Sequence, residues 1–184
     1  MLMLAMTTAA TMLGRLNLGV VGKYVQDEFA LSPQTMGWIF SAFAIAYGSF
    51  QIPGGWAGDR FGARKVLTVS LLFWSLATIS MVLLAGRGME KWIGVAWSFA
   101  FFRFLLGVGE APTSPCNTKV VVSWMGPLRR GVGSSFHIAG IGLGGALTPV
   151  VLTLMAQHWG WRTCFYFSGL IGILVAMGWW FYAT

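Results

Sequence analysis

Val95–Pro115 reads VAWSFAFFRFLLGVGEAPTSP. In a run this apolar, Arg103 and Glu110 stand out. Ionisable groups inside a membrane span are costly, so they turn inward and mark substrate or proton pathways. The two are seven residues apart, about two helical turns, which sets them on one face about 10 Å apart along the axis. Gly107 lies between them on that face and would admit a neighbouring helix or a ligand. The stretch therefore reads as a membrane-crossing helix with one functional face.

The rest of the chain agrees. Hydrophobic residues make up 57% and charged residues 9% of the 184. Apolar runs of about 20 residues recur with short polar breaks, the pattern of a helical integral membrane protein. A β-barrel would show alternating segments of about 10 residues, and none occur. The first apolar run leads into Arg15 without a small-residue cleavage pattern, so a cleavable signal peptide is not expected. The net charge of +7, spread over the connections, is explained by topology rather than by a nucleic-acid groove. Cys116 and Cys164 are isolated in apolar surroundings and read as core thiols, with no metal spacing.

The expected architecture is one all-α transmembrane domain, a six-helix bundle with spans at roughly 3–25, 35–57, 66–85, 92–120, 132–155 and 163–183. Breaks are signalled by Ser32-Pro33, by Gly86 and Gly88, and by Gly126-Pro127. The long fourth span is expected to bend near Pro112 and Pro115. Six loop cations (Arg60, Arg64, Lys65, Lys119, Arg129, Arg130) fall on one side and four (Lys23, Arg87, Lys91, Arg162) on the other. That mild bias predicts both termini in the cytoplasm. Trp92, Trp97, Trp159, Trp161, Trp179 and Trp180 fall near span ends and predict an interfacial aromatic belt.

A short repeat divides the chain. Arg15-Leu-Asn-Leu-Gly-Val20 in the first span matches Arg103-Phe-Leu-Leu-Gly-Val108 in the fourth. Phe61-Gly-Ala-Arg64 after the second span matches Trp159-Gly-Trp-Arg162 after the fifth. With three spans per half, these matches predict two inverted three-helix repeats, as transporters have. The glycines at 140, 142, 144 and 145 in the fifth span predict close helix packing.

Between the second and third spans lies Gly55-Trp-Ala-Gly58-Asp59-Arg60-Phe-Gly62-Ala-Arg64-Lys65. Glycines tighten this turn, and one carboxylate stands among three cations. Asp59 could bond Arg64 or a helix N-terminus as a latch that makes and breaks; a solvated basic loop is the alternative. The segment resembles the G-x-x-x-D-R-x-G-R-[RK] loop of the major facilitator superfamily, with Ala63 at one basic position. Arg103-x-x-x-Gly107-x-Gly109-Glu110-Ala111-Pro112 resembles that superfamily's fourth-helix motif. Together with SAFAIAYGSFQIPGGW, CNTKVVVSWM and GWRTCFYFSGLIGIL, it resembles the anion:cation symporter family of sugar-acid and organic-anion carriers. The likeness covers nearly the whole chain, but only the amino-terminal half of such a carrier.

Arg15 lies about a dozen residues into the first span, roughly 18 Å of rise and near mid-membrane. A guanidinium there can grip a carboxylate through two N–H groups, either a substrate's or one from elsewhere in the bundle. Glu110 is the one carboxylate expected at membrane depth; it reads as a titrating group tuned by Arg103, or as Arg103's static partner. The resemblance implies that Arg15 binds the anionic substrate and that Glu110 takes the coupling proton. It implies substrate contact for Tyr47, which shares a polar notch with Ser41 and Gln51, while an interior tyrosine bonded to backbone is the alternative. Asn17 and His137 are further cavity candidates, although a lone helical histidine is more often a packing residue. Asp59, Arg60, Arg64, Gly55 and Gly62 are the expected gate. Members of the family often carry Asp-Arg in the first span; here the pair is Gly14-Arg15, which bears on proton stoichiometry.

These readings imply proton-coupled symport of a small organic anion across the inner or plasma membrane, with a second six-helix domain as partner. The alternative is a half-transporter without transport activity of its own. No cofactor, metal or nucleotide is expected, since no phosphate-binding loop occurs. An enzyme is not expected either, for want of a nucleophile–base pair or metal cluster.

Overall fold

The computed structural model describes residues 1–85 and 94–183. The expected turn glycines Gly86 and Gly88, the loop cations Arg87 and Lys91, and Trp92 lie outside the described residues. Helices α1 (Leu2–Glu28), α2 (Pro33–Phe61) and α3 (Ala63–Ala85) form the first three spans. The fourth span is two helices, α4 (Val95–Glu110) and α5 (Thr113–Trp124), and a 3-10 turn at Pro127–Arg129 leads into α6 (Arg130–Trp159) and α7 (Trp161–Tyr182). Leu2–Glu28, Ala63–Leu84, Pro127–Trp159 and Trp161–Tyr182 are each long and apolar enough to cross a membrane.

Local chemistry sets the ends of these helices. Ser32 caps α2 by accepting from the Thr35 amide at 3.1 Å, with Pro33 in the first turn, where its missing N–H costs nothing. The fourth span breaks at Ala111-Pro112, because Pro112 and Pro115 supply no amides to continue the ladder. Gly62 (φ 86°, ψ 141°) and Gly160 (φ 82°, ψ 156°) end α2 and α6, in a backbone region that favours glycine. Their amides bond the carbonyls of Gly58 and Ala156. The aromatic-Gly-x-Arg match in the sequence is thus the same stop, used twice.

The packing repeats as well. The α1–α6 and α2–α4 pairs are the most extensive, joined by α3–α7, α3–α4 and α1–α7. Exchanging the first three spans for the last three maps the first pair onto the second and the α3–α4 pair onto α7–α1. It maps the α3–α7 pair onto itself. Two inverted three-helix units related by an approximate two-fold account for every one of these contacts. At α2–α4, a Cβ on Gly107 would fall 2.6 Å from the Phe43 carbonyl oxygen. At α1–α6, Cβ atoms on Gly140 and Gly144 would fall 2.9 and 2.8 Å from the Cα atoms of Ala5 and Ala9. Backbones meet there because these positions carry no side chain.

Two apolar clusters fill the interior. One holds Leu18, Val21, Phe99, Phe102 and Phe165, the other Leu4, Leu71, Trp74, Leu106 and Trp179. Arg15 falls in α1 between residues of the two clusters, and Arg103 falls between them in α4. Both cysteines are buried and free. The aromatic belt is corrected in part. Trp97, Trp159 and Trp180 are exposed, whereas Trp161 and Trp179 are buried in the two apolar clusters, with their indole N–H groups bonded to Glu28 (2.8 Å) and to the Arg64 carbonyl (3.3 Å).

Candidate functional site: a shared arginine between two apolar clusters

Helical spacing builds the site. Thr8, Thr11 and Arg15 lie on one face of α1, and Phe40, Phe43 and Tyr47 repeat that spacing on α2. Glu110 ends α4 just before the proline break. Arg15 donates from Nε at 3.0 Å and from Nη2 at 2.9 Å, both to Oε2 of Glu110. Glu110 is fully buried, while the Arg15 side chain keeps 30% of its surface exposed. Oε1 of Glu110 is buried without a hydrogen-bond partner among the described residues. The carboxylate from elsewhere in the bundle that could have claimed Arg15 is thus Glu110 itself.

Arg103 is not the direct partner of Glu110, so the static pair that stood as the alternative to a tuning arginine is not what the structure holds. Two turns of helix keep them apart, and Arg15 enters from α1 to take the carboxylate. Arg103, also buried, donates from Nη1 to the Arg15 carbonyl at 3.3 Å. Its guanidinium lies 5.4 Å from the Phe40 ring centre and 5.7 Å from that of Phe43. Arg15 lies 5.5 Å from Phe43 and 4.5 Å from Tyr47. The Phe43 and Tyr47 rings are themselves stacked, 5.7 Å apart at 17°. Cation–π attraction holds both arginines extended where few polar partners are available.

Gly14 has a steric counterpart. A Cβ there would lie 2.8 Å from Cζ3 of Trp74 and 3.4 Å from Oε1 of Glu110. The Trp74 indole fills the space that a side chain at position 14 would need.

Beside Arg15 a small hollow of about 50 Å³ is lined by Thr8, Thr11, Tyr47, Thr113 and His137, among others. It has room for a few waters. His137 Nδ1 lies 2.9 Å from Thr8 Oγ1 and 3.3 Å from Asn117 Nδ2. Of the expected substrate residues, Arg15, Tyr47 and His137 therefore converge. Asn17 does not, a second correction. Its amide donates to the Cys164 carbonyl (3.0 Å) and Ser168 Oγ (2.9 Å), tying α1 to α7 on the opposite face. Two residues beyond Arg15, about 200° around the helix, it cannot face the same way.

At the end of the bundle near Gly62, the latch has other partners than expected. Asp59 accepts from Lys119 at 2.8 Å, and the same ammonium donates to the Gly58 carbonyl at 2.8 Å. Arg64 instead donates to the Trp180 carbonyl at 2.6 Å and lies 4.7 Å from that ring. Arg60 rests over Trp56 and Phe61. At the other end Glu28 accepts from Arg162 and from Trp161. Phe40, Phe43, Thr8, Thr113 and Lys119 are the participants that sequence reasoning missed. For the α2 aromatics and α1 threonines the signal was their spacing, in register with Tyr47 and with Arg15.

Comparison with known proteins places this geometry in a lineage. Residues 4–184 match the Major Facilitator Superfamily. The chain is 38% identical over 182 residues to the probable galactarate/D-glucarate transporter GarP of Escherichia coli K12, covering 97% of this chain and 40% of that protein. It is 35% identical over 178 residues to the probable galactarate/D-glucarate transporter GudP of Bacillus subtilis 168 (96% and 38%). It is 32% identical over 179 residues to the D-galactonate transporter of Escherichia coli O6:H1 strain CFT073 (97% and 40%). The chain thus spans about 40% of the length of these relatives. In fold it is similar to a bacterial homologue of the human lysosomal transporter Spinster in an inward-facing, unoccupied conformation. The TM-score is 0.82 at 21% identity, over 98% of this chain and 42% of that one. With its doubled three-helix plan and its match across nearly every residue, this multi-pass membrane chain belongs to the Major Facilitator Superfamily.

Proposed function

We propose that the chain forms one wall of a proton-coupled carrier for a small organic anion of the sugar-acid type. The observation that carries this reading is the sharing of Arg15. One guanidinium faces a buried carboxylate on one side and a hollow on the other. Arg15, Arg103 and Glu110 sum to one positive charge in a layer between apolar clusters. A substrate carboxylate in the hollow beside Arg15 would neutralise it. Protonation of Glu110 would weaken its hold on Arg15 and release donors for that carboxylate, so proton and anion load together.

The hollow is far smaller than a sugar acid, so the opposite wall belongs to a second six-helix unit, in keeping with the length of the relatives. The pairs Asp59–Lys119 and Arg64–Trp180 are placed to act as the gate at one end. The loop charges favour that end, and both termini, on the cytoplasmic side of the inner or plasma membrane. No step calls for a catalytic nucleophile, metal or cofactor. The test is uptake of galactarate by vesicles carrying the chain together with a second six-helix half. An inward proton gradient should drive accumulation in the parent, and Arg15→Met should abolish it. Accumulation that ignores the gradient would overturn the coupling, and uptake unaffected by Arg15→Met would overturn the site.

A further inference from the structure

We infer that the hollow beside Arg15 contains a neutral subsite on α5 and α6, formed by Thr113 and His137, that reads hydroxyl groups next to the bound carboxylate. This rests on the reading of Arg15 as the carboxylate site and adds what the ligand must carry beside that carboxylate.

Thr113 Oγ1 and Asn117 Oδ1 are buried and have no partner among the described residues. Thr113 is 6% exposed and Asn117 0%. Four residues apart, they share a face of α5, and that face meets His137 of α6 and Thr8 of α1. Buried polar groups are costly to leave unpaired. Thr113 lines the same hollow as Arg15.

His137 ties the subsite to α6. Its Nδ1 lies 2.9 Å from Thr8 Oγ1 and 3.3 Å from Asn117 Nδ2, so that nitrogen is held inside the bundle. Nε2, on the other side of the ring, has no protein partner among the described residues. It donates or accepts according to the tautomer, and a hydroxyl answers either.

A ligand hydroxyl both donates and accepts, so it pairs with His137 Nε2 in either tautomer and with the Thr113 hydroxyl. Arg15 is the cation lining this hollow, so its chemistry runs from charged to neutral. That order matches a carboxylate followed by hydroxyl-bearing carbon. An unsubstituted aliphatic acid would leave Thr113 Oγ1 and His137 Nε2 unpaired. A site built to bond hydroxyls discriminates strongly against analogues that lack them.

The experiment measures calorimetrically the binding of galactarate and of adipate, the same dicarboxylate without hydroxyls, to the chain assembled with a second six-helix half in lipid nanodiscs. The parent should bind galactarate at least about ten-fold more tightly than adipate. Thr113→Val, nearly isosteric, and His137→Phe should each cut that preference by about five-fold, roughly one neutral hydrogen bond. Adipate binding should stay at the parental level, which also shows that the variants fold, and Thr113→Ser should restore the preference. Equal parental affinity for the two anions, or variants that keep the parental preference, would overturn the subsite while leaving the carboxylate site standing. Binding of neither anion to the parent would overturn the carboxylate site itself, and the subsite with it.

Discussion

Arg15 places both Nε and Nη2 on Oε2 of Glu110, at 3.0 and 2.9 Å. The residue expected to hold the anion and the residue expected to hold the proton are therefore one ion pair. In the proposed carrier, competition for this one guanidinium would couple the two, because loading one partner would directly loosen the other. Arg103 supports the pair from behind, through the Arg15 carbonyl and the Phe43 ring.

Removing one member of the pair should be costly and removing both much less so. Arg15→Met leaves a buried carboxylate unpaired, a loss of about 3–5 kcal/mol. Arg15→Met with Glu110→Gln should recover most of it. Thermal unfolding in lipid, read as a double-mutant cycle, measures the difference. Additive losses would show that the pair does not act as a unit.

Glu110→Gln keeps the shape of the side chain but cannot titrate. With a second six-helix half present, gradient-driven accumulation of galactarate should fall to the level of simple equilibration while counterflow exchange persists. Accumulation at the parental level would place the proton elsewhere.

Gly14 is closed off by Trp74. Gly14→Ala should lower stability by about 1–3 kcal/mol, the usual cost of overpacking, since its Cβ would sit 2.8 Å from the indole. Gly14→Ala combined with Trp74→Phe should cost less than the sum of the two single changes. Unfolding midpoints in the same lipid decide this.

The Asp59–Lys119 pair is largely exposed, with side chains 75% and 35% accessible. Lys119→Met should therefore change stability by less than about 1 kcal/mol. Its effect should appear in exchange rates instead, because the same ammonium also clamps the Gly58 carbonyl at the end of α2. A large stability loss with unchanged exchange would make Lys119 a structural residue and not part of a gate.

The sequence by itself determined that the chain spans a membrane as helices, that its halves repeat, and that Arg103 and Glu110 belong to one inward-turned helix face. Those conclusions follow from local quantities: the length of apolar runs, the spacing of charges along a helix, and glycines at stops that require positive φ. Gly62 and Gly160 are legible because backbone conformation is a short-range property. Which cation takes Glu110 was not legible. Arg103 is near in sequence and on the same helix, but the partner is Arg15, 95 residues away. That Asn17 faces away from Arg15 was legible, since two residues turn a helix by about 200°; only its partners on α7, Cys164 and Ser168, are set by the bundle. Pairing across helices depends on which faces meet, and close approaches such as Gly107 against Phe43 decide that. The tertiary structure thus turned two misplaced charges on one helix into a single shared arginine between helices.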